Sequence, residues 1–295
     1  MIHSGSAVTE LLDLLDLREV GTGLFEGAHS PITRSRVFGG QLLAQGLRAA
    51  ALTAPPGRLP YSLHAGFIRP AHPGSVLRYA VEQIRDGGSI SVRRVAVWQD
   101  DFEVCTLTAS LADPDDPHDA ASPQPHPRGL CSVPAPEGLL TDAQRLQPYA
   151  HEHDGWWVRR RPFELRPGHL TPREALDAPD SAGGEAGRWA WLRADGLVPE
   201  DPIMHACMLA YASDMTLLEP FLVDRMITPL GPGSVASLDH AMWFHQTPAV
   251  DEWLLYDKCL IGDSATRGLC LGHFYSDDGA LVATVIQQGY AKMRR

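Results

Sequence analysis

His240-Ala-Met-Trp-Phe-His245 echoes an earlier stretch, His64-Ala-Gly-Phe-Ile-Arg69. The two leading histidines lie 176 residues apart. Further along each copy, Gly88-Ser89 answers Asp263-Ser264, and Asp100-Asp101 answers Asp277-Asp278, at almost the same offset. Three landmarks in step over so long a span argue for an internal duplication. Each copy reads as a helix followed by runs of strand-like residues separated by turn signals. The expected fold class is therefore α+β, two tandem helix-plus-antiparallel-sheet units. Two such units can join their sheets edge to edge and so bury two strand edges.

Working outward, the first copy opens with an amphipathic helix at 8–17 and the start of a strand at 21–26. Phe38-Gly-Gly-Gln41 then leads into a second helix, 41–52. The paired glycines permit close backbone approach, with packing the simpler reading and a ligand the alternative. Strand character follows at 62–68, 76–85, 89–99 and 102–111, with Asp86-Gly-Gly88 and Gln99-Asp-Asp101 as turns. Prolines 114, 117, 123, 125 and 127 then break the pattern, and periodicity stays poor to about 153. The chain thus divides into a first unit (1–113), a Pro/Asp-rich linker or surface loop (114–154) and a second unit (155–295). In the second unit strands are expected at 157–165, 189–192, 234–244, 252–261, 266–275 and 280–288, around a helix at 204–218.

Composition narrows the function. A hydrophobic fraction of 44% and a charged fraction of 21% are ordinary for a globular protein. The formal charge of −11 disfavours nucleic acid as a partner, although a local basic patch could serve an anionic ligand. No run of eighteen apolar residues suggests a membrane span, and the N-terminus lacks a secretory pattern. Five scattered cysteines with no Cys-x-x-Cys pair point to reduced thiols in a cytoplasmic setting. Thirteen histidines include no zinc-type spacing, so neither a metal nor another cofactor is expected.

One residue breaks the apolar pattern of the second unit's helix. In His205-Ala-Cys-Met-Leu-Ala-Tyr-Ala-Ser-Asp214-Met-Thr-Leu-Leu218, apolar residues recur at three-and-four spacing and Asp214 falls among them. A carboxylate there is costly to bury unless it is satisfied or used. The stretch alone leaves open a structural Asp and a catalytic one.

Val37-Phe-Gly-Gly-Gln41, Arg85-Asp-Gly-Gly-Ser89 with Arg93-Arg94, Tyr211-Ala-Ser-Asp214, Leu238-Asp-His-Ala-Met-Trp-Phe-His245 and Glu252-Trp-Leu-Leu-Tyr256 resemble the acyl-CoA thioesterase II family. The likeness runs over nearly the whole chain and is poorest in the insert after Leu111. It implies a double hot-dog fold and hydrolysis of fatty acyl-CoA to free acid and coenzyme A. The family's catalytic Asp, Thr and Gln map onto Asp214, Ser237 and Gln287, which would hold and activate a water. Ser237 departs from the family's Thr but keeps the hydroxyl. Ala65-Gly66 replaces a Ser and an aromatic, which bears on acyl chain length. Association into a homo-oligomer is expected by analogy with other hot-dog proteins.

The residues fit that chemistry. An Asp on an apolar helix face has a raised pKa suited to a general base. A hydroxyl and an amide can orient the same water. Backbone N–H groups at the start of the 205–218 helix are candidates to meet the developing oxyanion. Only the second copy carries the set: Asp214 answers about Ala49, and Gln287 about Ser110. His64, Arg93 and His240 are the substrate-binding candidates. The two histidines are read first as satisfied core residues. Arg93 and Arg94 could contact coenzyme A phosphates or lie on a solvated strand face. There is no Gly-x-Ser-x-Gly elbow and no phosphate-binding loop. A hot-dog hydratase would want a His five residues after the Asp, where this chain has Glu219. The remaining alternative is an acyl-CoA-binding protein that has lost catalysis.

Overall fold

Strand β3 (Leu59–Phe67) lies antiparallel beside strand β9 (Ser234–Phe244), and this seam joins the two halves of the molecule. The structure is a computed structural model and describes residues 6–28, 36–114, 133–182, 188–231 and 234–292. On one side of the seam run β6 (Phe102–Ala112), β5 (Ile90–Gln99), β4 (Leu77–Asp86), β2 (Leu24–Gly27) and β1 (Arg18–Gly21). On the other run β12 (Leu281–Lys292), β11 (Arg267–Ser276), β10 (Leu254–Asp263), β8 (Arg188–Ala194) and β7 (Phe163–Pro167). The strand order of one half mirrors the other, as a duplication requires. All twelve form one antiparallel sheet, so the seam removes both inner edges. The outer edges are short strands: β1 has four exposed residues, and β7 ends in a proline.

Each half contributes one long, largely buried helix: α2 (Gly39–Leu52), and the helix of residues Pro202–Thr216. The latter is α6, after α1 (Ala7–Leu15), α3 (Asp142–Arg145), α4 (Pro172–Asp177) and α5 (Pro179–Ala182). Asp201 caps α6 through the Ile203 amide, with Pro202 in its first turn. A short helix α7 (Glu219–Asp224) continues it. The stretch Pro202–Asp224 is long and apolar enough to cross a bilayer, but 72% of its most apolar window is buried inside this fold. It is the core helix of the second half.

α2 and α6 pack against each other, and residues of both halves share one apolar core. Their approach is close: a Cβ on Gly40 would stand 2.5 Å from the Tyr211 carbonyl oxygen. The glycine pair seen in the sequence is therefore required by helix contact.

Two expectations are corrected. Residues 157–165 are not one strand: a 3-10 stretch covers His153–Val158, and β7 begins at Phe163. The strand phase of the repeat is also one residue out at its leading landmark. His64 is exposed, with its ring edge-on to Trp243 on the outer face, whereas His240 is buried. Directly across the seam, His240 faces Ala65, not His64. A β side chain changes face with every residue, so an offset correct to within one residue still swaps inside for outside.

Candidate active site

α6 carries Asp214 near its C-terminal end, and β9 and β12 carry Ser237 and Gln287. The three side chains meet. Gln287 Nε2 donates to Asp214 Oδ1 at 2.7 Å and to Ser237 Oγ at 2.6 Å. Ser237 Oγ lies 3.4 Å from Asp214 Oδ1, toward which it donates. On the far side of the amide, Gln287 Oε1 is 2.8 Å from His240 Nδ1, and His240 Nε2 is 3.0 Å from Ser213 Oγ.

A bulge makes this meeting possible. Ser237 and His240 are three residues apart, which would set them on opposite faces of a regular strand. Between them β9 takes one extra residue: Asp239 pairs with Gln288, but Ser237 already pairs with Gly289. Leu238 is the extra residue, and the reset phase turns Ser237 to the same side as His240.

Burial pushes the Asp214 carboxyl up to about 6, against hydrogen bonds from Gln287, the Gly40 backbone and Ser237 that pull it down. The Gly40 contact comes from the other half of the molecule. Helix α2 has no side-chain N-cap and no acidic residue in its first turn, and Asp214 sits there as the anion. A Cβ on Gly39 would stand 2.7 Å from Asp214 Oδ2, so a side chain there would push on the carboxylate. This relocates the expected source of oxyanion stabilisation. The start of α6 is twelve residues from Asp214, about 18 Å along the axis. The N-terminus beside the carboxylate is that of α2.

A cavity of about 210 Å³ borders Asp214. Its walls include Leu146, Trp156, Trp157, Leu218 and Leu222. Trp157 is fixed by its indole N–H, which donates to Glu152 at 2.9 Å, while Arg173 grips Glu152 at 2.7 and 2.8 Å. Part of the segment expected as a linker or surface loop is thus a wall of this cavity. Residues 133–139 pack on Trp191, whose indole N–H donates to the Pro134 carbonyl at 2.9 Å. Of that segment, residues 115–132 lie outside the described residues.

The substrate-binding candidates fare differently from the catalytic ones. Arg93 has no exposed surface: its guanidinium is spent on the Thr53 hydroxyl and carbonyl, the Arg85 and Val92 carbonyls and the Asp86 carboxylate. It ties the end of α2 to the β4–β5 hairpin and has no face left for a phosphate. Arg94, its neighbour, is exposed and paired with Glu82. His64 lies on the outer face, and His240 is buried behind Gln287 rather than open to substrate. Ala65 faces His240 across the seam and is not part of the cavity wall. The sequence reading missed Gly40 as a partner of Asp214, and Ser213 behind His240. Phe38-Gly-Gly-Gln41 carried the only signal for the first.

Comparison with known proteins identifies the family. Residues 27–112 match the family described as acyl-CoA thioesterase N-terminal domain, and residues 173–290 match acyl-CoA thioesterase. Mouse acyl-coenzyme A thioesterase 8 is 33% identical, over 97% of this chain and 89% of that protein. Haemophilus influenzae acyl-CoA thioesterase 2 is 31% identical, over 96% of each. Among solved structures, the tesB protein of Mycobacterium avium subs paratuberculosis superposes with a TM-score of 0.77 at 30% identity, covering 97% of this chain and 99% of that one. The duplicated sheet, the convergent carboxylate, hydroxyl and amide, and these full-length similarities lead to one conclusion: the chain belongs to the acyl-CoA thioesterase II family.

Proposed function

We propose that this protein hydrolyses acyl-CoA thioesters by direct attack of water, with Asp214 as general base and Ser237 and Gln287 positioning the base and the water. The observation that carries this reading is the Gln287 amide, which donates to both Ser237 and Asp214, the member of the set that borders the cavity. Near pH 7 a carboxyl held at about 6 is mostly ionised yet more basic than an ordinary Asp. It takes one proton from water as the water oxygen bonds to the thioester carbon. The carbonyl electrons move onto oxygen, which the positive end of α2 favours. When the oxyanion collapses, the C–S bond breaks and the proton on Asp214 passes to the departing thiolate. The products are free acid and coenzyme A thiol. The largely apolar cavity receives the acyl group, and its Trp156–Trp157 wall limits the chain it accepts.

The hydratase alternative loses support at Glu219. Burial pushes this carboxyl up, but Lys258 at 2.7 Å and His169 outweigh that and hold it ionised, at about 2. It has no proton to give near neutral pH. An acyl-CoA-binding protein without catalysis would need to keep Asp214 buried at a free-energy cost for no purpose.

Thiol release from a short-to-long acyl-CoA series, with wild type and Asp214→Asn side by side, tests the reading. Release by wild type and loss in the variant are expected. Tight acyl-CoA binding without release at any length would sink it in favour of the binding protein. Cys105, Cys207 and Cys270 are in no disulfide among the described residues, which fits a reducing, cytoplasmic setting. A homo-oligomer in solution is the expected state, read by light scattering after gel filtration.

A further inference from the structure

The second polar layer, behind Gln287, has a direction. A side-chain amide can turn over, exchanging its oxygen and nitrogen with almost no change of shape. Only one of the two orientations suits this site. With NH₂ forward, Gln287 gives one hydrogen to Asp214 Oδ1 at 2.7 Å and the other to Ser237 Oγ at 2.6 Å. Turned over, it would set a carbonyl oxygen against a carboxylate oxygen, and Ser237 would lose its donor.

We propose that His240 and Ser213 are positioning residues that lock the Gln287 amide with its NH₂ toward Asp214 and Ser237. This rests on the catalytic set proposed above. Gln287 Oε1 accepts only, so His240 Nδ1, 2.8 Å away, must carry a hydrogen. The ring has 1% of its surface exposed, and burial keeps it neutral at working pH, its pKa pushed down to about 4. A neutral ring with its hydrogen on Nδ1 has a bare Nε2. Ser213 Oγ stands 3.0 Å from it, and its hydroxyl, which donates to the Ala210 carbonyl at 2.8 Å, can share that one hydrogen with the bare nitrogen. The other tautomer would place the Nδ1 lone pair against Oε1 and turn the amide over. Ser213 is itself held: the Tyr256 hydroxyl donates to its carbonyl at 2.9 Å. Across the seam Ala65 is small, which leaves room for the ring. His240 reaches Asp214 only by way of the Gln287 amide, and Ser213 meets that ring from behind. Their effect on the reaction passes through Gln287.

The readout is Asp214. A hydrogen bond from Gln287 favours its ionised form, so losing that donor moves its titration to higher pH. Tyr211 on its own helix and Tyr256 on β10 face Asp214, and Asp142, Arg161, Arg173 and Glu219 line the same cavity. Burial pushes both phenols up, so they stay neutral and do not mask the change.

The test compares His240→Leu, which removes the donor, with His240→Asn, whose side-chain nitrogen can occupy the Nδ1 position. His240→Leu should lower kcat by roughly ten- to a hundredfold with KM unchanged, and shift the acid limb of kcat/KM to higher pH. His240→Asn should recover most of the rate and return the limb toward wild type. Equal losses in both variants with the limb in place would mean that the ring acts through packing, and would overturn the relay, as would an unchanged His240→Leu. If His240→Leu does not fold, Ser213→Ala replaces it: a smaller kcat loss with a limb shift of the same sign supports the relay, and an unmoved limb overturns it. Full activity in Asp214→Asn is a separate result, and would remove the catalytic set on which the relay rests.

Discussion

Burial holds the Asp214 carboxyl at about 6, and that single shift has opposite consequences for rate and stability. A general base must be ionised, so kcat/KM should fall as the pH drops through about 6, which a pH–rate profile reads directly. For stability the sign is reversed. A carboxyl whose folded pKa lies above its unfolded value of 3.8 favours folding most below that value, and the benefit is lost as pH rises through the folded pKa. At pH 7–8 the ionised group therefore costs about 2–3 kcal/mol. Asp214→Asn keeps an oxygen to accept from Gln287 and removes the charge. It should raise the melting temperature at pH 8, and the gain should vanish near pH 4. Equal melting curves at pH 8 would contradict the burial argument. Ser237 was legible in the sequence only through its family likeness. Its position depends on the extra residue Leu238, and a bulge is a property of two paired strands that one strand's sequence does not display. Ser237→Thr adds a methyl and keeps the hydroxyl, so its rate should stay within about tenfold of wild type, whereas Ser237→Ala should lose about a hundredfold or more.

Helix α2 contributes an end rather than a side chain. Gly39 and Gly40 bring its first turn against Asp214 and Tyr211, and Gly40 N–H reaches the carboxylate. The Cβ of Gly39→Ala would land 2.7 Å from Asp214 Oδ2 and must displace it. Turnover should fall by roughly a hundredfold while the fold stays intact, read as an unchanged circular dichroism spectrum beside a lost rate. An active Gly39→Ala would show that the α2 terminus is not in the site. The glycine pair was visible in the sequence, but which helix it would meet was not, because that contact joins residues more than 170 positions apart. Arg93 and Arg94 illustrate the same limit. Alternation says that one of the pair faces in and the other out, and it does not say that the inward one is an arginine with its guanidinium fully engaged.

At the scale of the molecule, the duplication was the most legible feature. Landmarks in step across the chain anticipated one sheet with mirrored halves, and most strand positions follow from alternation and turn residues. What alternation left out is the segment before β7. Residues 142–158 have no period to read, because their short turns are held by ion pairs and indole contacts such as Arg173–Glu152 and Glu152–Trp157. The site itself needs both halves. Asp214, Ser237 and Gln287 come from the second, the α2 terminus from the first, and β3 covers the edge of β9 that the second half would otherwise expose. Residues 155–295 produced alone should therefore give no thiol release and should aggregate through the bare β9 edge, seen by light scattering. Activity in that fragment would show that the first half is dispensable.

The central claim is that water attacks the thioester directly while Asp214 only moves a proton. A single turnover in ¹⁸O-water, with excess enzyme over acyl-CoA, tests it most directly. The account predicts free acid carrying one ¹⁸O from the first turnover and protein of unchanged mass throughout. Unlabelled acid on the first turnover, or protein heavier by one acyl group when quenched early, would mean that Asp214 or another side chain attacks the carbonyl itself.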